Sequence, residues 1–283
     1  MCGTSSRCVS PNKGFERTGQ GIAWKRGGTT RRSNPNTLAI PVARGSDLGL
    51  AIITGGSRGL GAALCDLYRD QGWSVLEFSR SAPHDFSVEL DLSDPVDASA
   101  VFSEAFASLG DFAASEIIAI NNAGMLEPVG PVEHVSPGAI ATNLDVNVLS
   151  AILFARAFVE AFQDHDCPKT FVNISSGAAN KGYAGWSLYC AGKAAMENYT
   201  RSIALEQSAR PNLIRAISVN PGVMDTSMQE AIRNSPLELF PALERFTRLK
   251  DDGLLAPPAL VARQIAEIVA SRPEPGGVYS VNR

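Results

Sequence analysis

Histidine, paired cysteines and long apolar runs are all scarce in this sequence of 283 residues, and each scarcity removes a class of function. Three histidines (His84, His134, His165) stand far apart, and five cysteines (Cys2, Cys8, Cys65, Cys167, Cys190) form no Cys-x-x-Cys pair. A metal site and a disulfide framework are therefore not expected, and a reducing, cytoplasmic setting is favoured. The longest apolar candidate, around Ala151 to Phe162, falls short of the roughly 18 to 20 residues of a spanning helix and carries Arg156 and Glu160. No membrane segment is expected. What remains, 45% hydrophobic and 19% charged residues, suits a chain that buries a large core, which excludes disorder of the whole.

The formal net charge of -4 conceals an asymmetry. Residues 1–45 hold eight cations (Arg7, Lys13, Arg17, Lys25, Arg26, Arg31, Arg32, Arg44) against Glu16, a net +7 that leaves -11 for the rest. The segment is rich in Gly, Ser, Thr, Asn and Pro without apolar periodicity. It reads as a disordered basic extension, residues 1–45, ahead of one folded domain, residues 46–283. Three roles stay open for it: a solvated tail or mis-assigned start, an organelle transit segment, or a weak nucleic-acid arm. Its glycines argue against a transit helix, and the acidic body argues against nucleic acid as a partner.

From Leu48 onward, short branched apolar runs alternate with segments of helical period. The runs are Leu50 to Ile53, Val75 to Phe78, Ser87 to Leu90, Glu116 to Ile120, Thr170 to Ile174, Ile214 to Val219 and Val278 to Val281. Seven such strands separated mostly by helices predict an α/β fold: a single doubly wound parallel sheet, Rossmann-like, with helices on both faces. Helix signals agree at Gly59 to Arg69 and at Pro95, where Ser93 or Asp94 is the cap. Between the second and third strands only Ser79 to Phe86 remain, too few for a normal parallel crossover, so that helix is expected to be missing or reduced to a turn.

Thr54-Gly-Gly-Ser-Arg-Gly-Leu-Gly61 follows the first strand and opens a helix, which leaves room for a diphosphate against backbone N–H groups. Alone, three glycines also suit an ordinary turn. Further along stand Asn121-Asn-Ala-Gly124, Asn147, Ser175-Ser176, Tyr189 four residues before Lys193, and Asn220-Pro-Gly222. One helical turn puts Tyr189 and Lys193 on one face, although Tyr-x-x-x-Lys by itself occurs by chance in many chains. In this order, each beside its strand or helix, the motifs resemble those of the short-chain dehydrogenase/reductases, over Ala51 to Val281. Gly185-Trp-Ser-Leu-Tyr-Cys-Ala-Gly-Lys-Ala-Ala195 and Pro221-Gly-Val-Met-Asp-Thr-Ser-Met-Gln229 resemble the sepiapterin reductase and benzil reductase branch.

The resemblance implies an NADPH-dependent carbonyl reductase. Tyr189 is then the catalytic acid, Lys193 the ammonium that tunes it and grips the nicotinamide ribose, Ser176 the group that orients the carbonyl, and Asn147 the holder of a relay water. Ser175 is set aside because Ser176 has the family's spacing to Tyr189, and a plain helix polar residue stays open for Asn147. An unperturbed phenol titrates near pH 10, so work as a base in the reverse direction at neutral pH is expected to need a lowering of about three units, or about 4 kcal/mol, supplied by Lys193 together with an oxidised nicotinamide. Cofactor contacts are expected from Gly55, Ser57, Arg58, Gly59, Leu60 and Gly61, from Asn122, Ala123 and Gly124, and from Tyr189 and Lys193. Asp91 and Leu92 are expected at the adenine, with a part in capping the next helix left open for Asp91, and Pro221, Gly222, Val223 and Thr226 at the carboxamide.

At the end of the second strand, NAD-preferring relatives carry an acid, whereas here Ser79 and Arg80 stand with Arg58 nearby, an arrangement suited to a 2'-phosphate. Sepiapterin reductases anchor the pterin with an aspartate near the C-terminus. Here that place, around Ser280, offers no acid, which favours a benzil-like diketone or aryl ketone. Trp186, Met224 and Met228 are the candidate substrate contacts beside Ser176, with Tyr183, Phe240 and Phe246 as further lining. The resemblance also suggests a homodimer. Two other classes stay in view: a sepiapterin-type pterin reductase, and a catalytically idle nucleotide-binding sensor.

Overall fold

The computed structural model describes residues 49–109 and 112–281. The basic extension and its boundary at residue 45 lie outside the described residues. Four strands bury every residue along their length: β1 (Leu50–Thr54), β2 (Ser74–Ser79), β4 (Ile117–Asn121) and β5 (Lys169–Ile174). Burial on both faces is what a sheet sandwiched between helices requires, and it explains why these strands read as continuous apolar runs. With β3 (Ser87–Glu89), β6 (Ile214–Asn220) and β7 (Val278–Ser280) they form one parallel sheet in the order β3-β2-β1-β4-β5-β6-β7. The strand order reverses between β1 and β4. There the loops at the carboxyl ends part and leave a crevice.

One face is covered by α1 (Gly59–Asp70) and α8 (Pro258–Ala270), whose Leu64, Tyr68, Val261, Ile265 and Val269 meet Ile53, Ile120 and Val172. The other is covered by α2 (Pro95–Ala107), α4 (Ser150–Phe162) and α5 (Ser187–Gln207), through an aromatic core of Phe78, Phe102, Phe106, Phe154, Phe158, Phe162 and Phe171. Truncating one of these rings to alanine costs about 3–5 kcal/mol. Helix α2 starts at Pro95, with the Asp94 carboxylate accepting from the N–H groups of Val96 and Asp97, which decides between the two expected caps. Beyond the carboxyl edge, α6 (Ser227–Arg233) and α7 (Leu243–Asp251) close a third cluster with Leu126, Ala178, Trp186, Tyr189, Ile232, Phe240 and Phe246.

Residues 80–86 contain no helix, and β2 and β3 are nevertheless parallel. The register explains how so short a connection suffices. Ser87 pairs with Glu77, so from Ser79 the chain climbs back only two residues, about 7 Å, before β3 begins. The helical segment around Asn147 is longer than its apolar part suggests. Helix α3 (Pro137–Leu144), a π turn (Asp145–Leu149) and α4 join end to end over Pro137–Phe162. By length and composition this helix of 26 residues reaches bilayer-crossing dimensions, which corrects the expectation drawn from Ala151 to Phe162 alone. The sequence hides it because Thr142, Asn143, Asp145 and Asn147 interrupt the run. In this fold Phe154, Phe158 and Phe162 of its second half are buried in the aromatic core.

Candidate active site

The glycine turn between β1 and α1 is shaped by two positions. Gly55 has φ +72°, in the left-handed region that glycine adopts without strain. At Gly61 a Cβ would stand 2.0 Å from the Gly55 carbonyl oxygen and 2.6 Å from Asn122 Nδ2, so only glycine permits this approach of helix to turn. Arg58 at the N-cap makes no side-chain hydrogen bond to the helix, which leaves first-turn N–H groups of α1 for an anion. Asn122 braces the turn by donating from Nδ2 to the carbonyls of Thr54 (3.0 Å) and Gly55 (3.1 Å). Thr54 Oγ1 in turn accepts from the N–H groups of Asn122 and Ala123. Ser57 is half-buried, Arg58 is exposed, and Leu60 packs into the core. Across the crevice Thr226 Cγ2 stands 3.5 Å from where a Cβ on Gly59 would be.

Ser176, Tyr189 and Lys193 come together at the crevice floor. Ser176 caps a short 3-10 turn, Gly177–Ala179, its Oγ accepting from the Ala178 N–H at 3.2 Å. Its hydroxyl is hydrogen-bonded to Tyr189. Lys193 Nζ lies 5.7 Å from the Tyr189 ring centroid and donates to the Ile174 carbonyl at 2.8 Å. Burial pushes the Tyr189 phenol above its usual value, and the Ser176 hydrogen bond offsets this in part. Burial acts on Lys193 as well and pushes its ammonium down to about 8. Gly124 sits between the two sides of the site, its Cβ position 3.1 Å from Asn147 Oδ1 and 3.6 Å from Lys193 Nζ.

Asn147 is placed by the π turn, and its amide is committed. Nδ2 donates to the Met125 carbonyl (2.8 Å) and to Asn143 Oδ1 (3.0 Å), while Oδ1 accepts from the Met125 N–H (2.9 Å). Its amide hydrogens are thus spent on bracing the loop after β4, and neither is left for a relay water. Fully buried Asn143, which the sequence did not single out, completes the brace through the Glu127 carbonyl.

The other expected contacts divide. Arg80 is exposed at the carboxyl end of β2, but the Ser79 hydroxyl turns inward, donating to Glu77 and accepting from the Ala82 N–H. Asp91 Oδ1 accepts from the N–H and hydroxyl of Ser93, and the Leu92 carbonyl accepts from Ser150 Oγ. Pro221, Gly222 and Val223 leave β6, and the Gly222 N–H is held by Asn220 Oδ1. Among the candidate substrate contacts, Trp186 and Met228 join the aromatic cluster, where Trp186 stacks on Phe240 at 4.2 Å and meets Tyr189 edge-on at 5.9 Å. Among the described residues, the buried indole N–H of Trp186 has no partner. Met224 is not with them. It pairs with Ala256 and packs on the α1 and α8 side of the sheet.

Helix α5, which carries Tyr189 and Lys193, is tied to the sheet along its length. Beyond the Lys193 bond, Ser175 Oγ donates to the buried Glu197 carboxylate at 2.6 Å. Near the far end, Gln207 Oε1 accepts from the Ile214 N–H at 3.1 Å and its Nε2 donates to Gln163 at 2.9 Å.

The family model described as short chain dehydrogenase matches residues 49–236. Benzil reductase ((S)-benzoin forming) of Bacillus subtilis (strain 168) is 34% identical over 238 residues, which cover 82% of this chain and 98% of that protein. Sepiapterin reductase of Meriones unguiculatus is 32% identical over 157 residues, covering 54% of this chain and 58% of that protein. Among solved structures, the crystal structure of KRED1-Pglu enzyme is 29% identical with a TM-score of 0.69, covering 81% of this chain and 99% of that one.

Proposed function

We propose, from the premise that this chain belongs to the short-chain dehydrogenase family, that it is an NADPH-dependent reductase of a benzil-like diketone or aryl ketone. The coarser statement needs no proposal: the chain is an oxidoreductase of the carbonyl and alcohol pair, in the benzil reductase and sepiapterin reductase branch. The observation that supports a dinucleotide-dependent carbonyl reductase is the grouping of Ser176, Tyr189 and Lys193 beside a glycine turn whose close approach to α1 a single Cβ would abolish. That turn, with first-turn N–H groups of α1 open to an anion, fits a dinucleotide diphosphate.

A nicotinamide dinucleotide would be held by the glycine turn and the first-turn N–H groups of α1, and would supply the hydride. Tyr189, kept neutral by burial, donates its phenolic proton to the carbonyl oxygen. The Ala178 N–H holds Ser176 Oγ in place, so the serine hydrogen is free to point at the tyrosine or carbonyl oxygen. Lys193 is anchored by one N–H on Ile174, and its charge stabilises the phenolate that proton transfer leaves behind. Asn143 and Asn147 hold the loop after β4 that forms the opposite wall. Acid catalysis of this kind contributes about 10²- to 10⁴-fold.

Preference for NADPH is supported by exposed Arg58 and Arg80 on the two loops at the adenosine end, with no acid at position 79 to repel a 2'-phosphate. The diketone reading is supported by similarity along nearly the whole benzil reductase, by the apolar cluster of Trp186 and Met228, and by Ser280 where a pterin-anchoring acid would stand. A substrate's second carbonyl is also one acceptor that would relieve the unpartnered Trp186 N–H. A reducing, cytoplasmic setting and a homodimer belong to the same reading. The test is NADPH oxidation with benzil, phenyl diketones and sepiapterin. Diketones are expected to exceed sepiapterin about tenfold in kcat/KM, the equivalent of one hydrogen bond left unmade. Better efficiency with sepiapterin returns the protein to the pterin reading, and no turnover with any carbonyl leaves an idle sensor.

A further inference from the structure

Glu77 is fully buried inside β2, two residues before the strand end at which cofactor choice is read. Among the described residues no cation is paired with it. Three donors hold it instead: Oε2 accepts from the Gly56 N–H at 3.1 Å, and Oε1 accepts from the hydroxyls of Ser79 (2.9 Å) and Ser87. Each hydroxyl passes the contact on, since Ser79 Oγ accepts from the Ala82 N–H and Ser87 Oγ from the His84 N–H. One carboxylate thus joins the glycine turn to the connection between β2 and β3. The first of these carries Arg58 and the second carries Arg80. The fit is close, because a Cβ on Gly56 would meet the Glu77 side chain at 2.9 Å. A strand interior is better served by an apolar residue, and a buried carboxylate persists only where its partners repay the lost hydration. Here those partners are two loops that have no helix between β2 and β3 to hold them apart.

We propose that Glu77 is a positioning residue for cofactor selection: by clamping the glycine turn to the β2–β3 connection, it sets the spacing at which Arg58 and Arg80 receive a 2'-phosphate. The inference rests on the NADPH reading given above. Glu77 acts through Gly56, Ser79 and Ser87. Its charge by itself works the other way, because a carboxylate beneath the site repels a phosphate. Removing it therefore separates the two effects by sign.

The experiment compares the full chain with Glu77→Gln and Ser87→Ala, measuring KM and kcat for NADPH and NADH with one diketone, and NADPH affinity by fluorescence quenching without a carbonyl. Glu77→Gln keeps the shape but gives the donors a second donor to face. It is expected to weaken NADPH about tenfold, the size of one charge-assisted contact, while NADH loses no more than about threefold. Ser87→Ala removes one arm of the clamp at the sheet edge and is expected to shift the NADPH to NADH ratio in the same direction by a smaller factor. Equal loss for both cofactors means a structural brace only, and tighter NADPH means that the charge dominates; either overturns the inference. If Glu77→Gln does not fold, Ser87→Ala decides, and an unchanged ratio there overturns it as well. A wild type without preference for NADPH defeats the cofactor reading and the inference with it, whereas preference preserved in both variants defeats the inference alone.

Discussion

Replacing Lys193 with methionine is expected to abolish efficient turnover while leaving the fold as stable as before at neutral pH, or more stable. The ammonium is buried and its pKa drops from 10.5 to about 8, so the folded domain carries about 3 kcal/mol of cost whenever the group is charged. Methionine has similar length and no such cost, but it loses the donor to the Ile174 carbonyl, worth about 1–3 kcal/mol if that oxygen is left without a partner. The net gain at pH 7 is therefore between about zero and 2 kcal/mol. The pH dependence is the sharper test. Between pH 8 and 10.5 the unfolded chain holds a proton that the folded chain has released, so wild-type stability rises through that window by about 3 kcal/mol from this residue. The methionine variant lacks the rise. Urea unfolding followed by tryptophan fluorescence at pH 7, 9 and 10.5 measures both, and a stability difference that stays constant across this range refutes the burial argument.

Tyr189→Phe removes one hydroxyl from a packed ring, so melting temperature should hold within a few degrees while turnover falls about 10²-fold or more; near wild-type turnover would exclude Tyr189 as the acid. With the proposed roles of neutral Tyr189 and charged Lys193, kcat/KM is expected to be flat at neutral pH and to decline above about pH 8, and a rise there would contradict those roles. Gly61→Ala puts a Cβ 2.0 Å from the Gly55 carbonyl, so cofactor affinity measured by titration should be lost together with several degrees of thermal stability; an unaffected variant would mean that the turn relaxes at little cost.

The strands were legible because a buried parallel strand is a run of Ile, Val, Leu and Phe, and Ile117–Asn121 or Ile214–Asn220 can hardly be anything else. The glycine turn, Tyr189 and Lys193 were legible because fixed spacing stands for fixed geometry. What escaped depends on contacts that sequence order does not encode. The π turn at Asp145–Leu149 is pulled into shape by Asn147 and Asn143 reaching Met125 and Glu127 across the crevice. Met224 and Met228 are one turn apart, yet they fall on opposite sides of the loop, and methionine packs equally well in either place. The burial that pushes the Tyr189 phenol up is likewise invisible in the sequence, which shows only the neighbouring ammonium. Ser79 looked free to meet a phosphate until Glu77, an acid hidden inside a strand, claimed its hydroxyl.

The polar ties along α5 divide the molecule into a part that stays and a part that can be exchanged. Bonds from Lys193, Glu197 and Gln207 to β5, its end and the start of β6 keep Tyr189 from rotating or sliding relative to Ser176. Helices α6 and α7 meet the body mainly through the apolar cluster, where Phe246 packs on Trp186 at 5.1 Å and Ile232 is buried, while surface pairs such as Lys250 with Asp225 and Arg245 with Tyr183 add little each. The apolar contacts of α6 and α7 are non-directional, so substitutions there alter the volume beside Trp186, whereas the polar ties of α5 hold Tyr189 against Ser176.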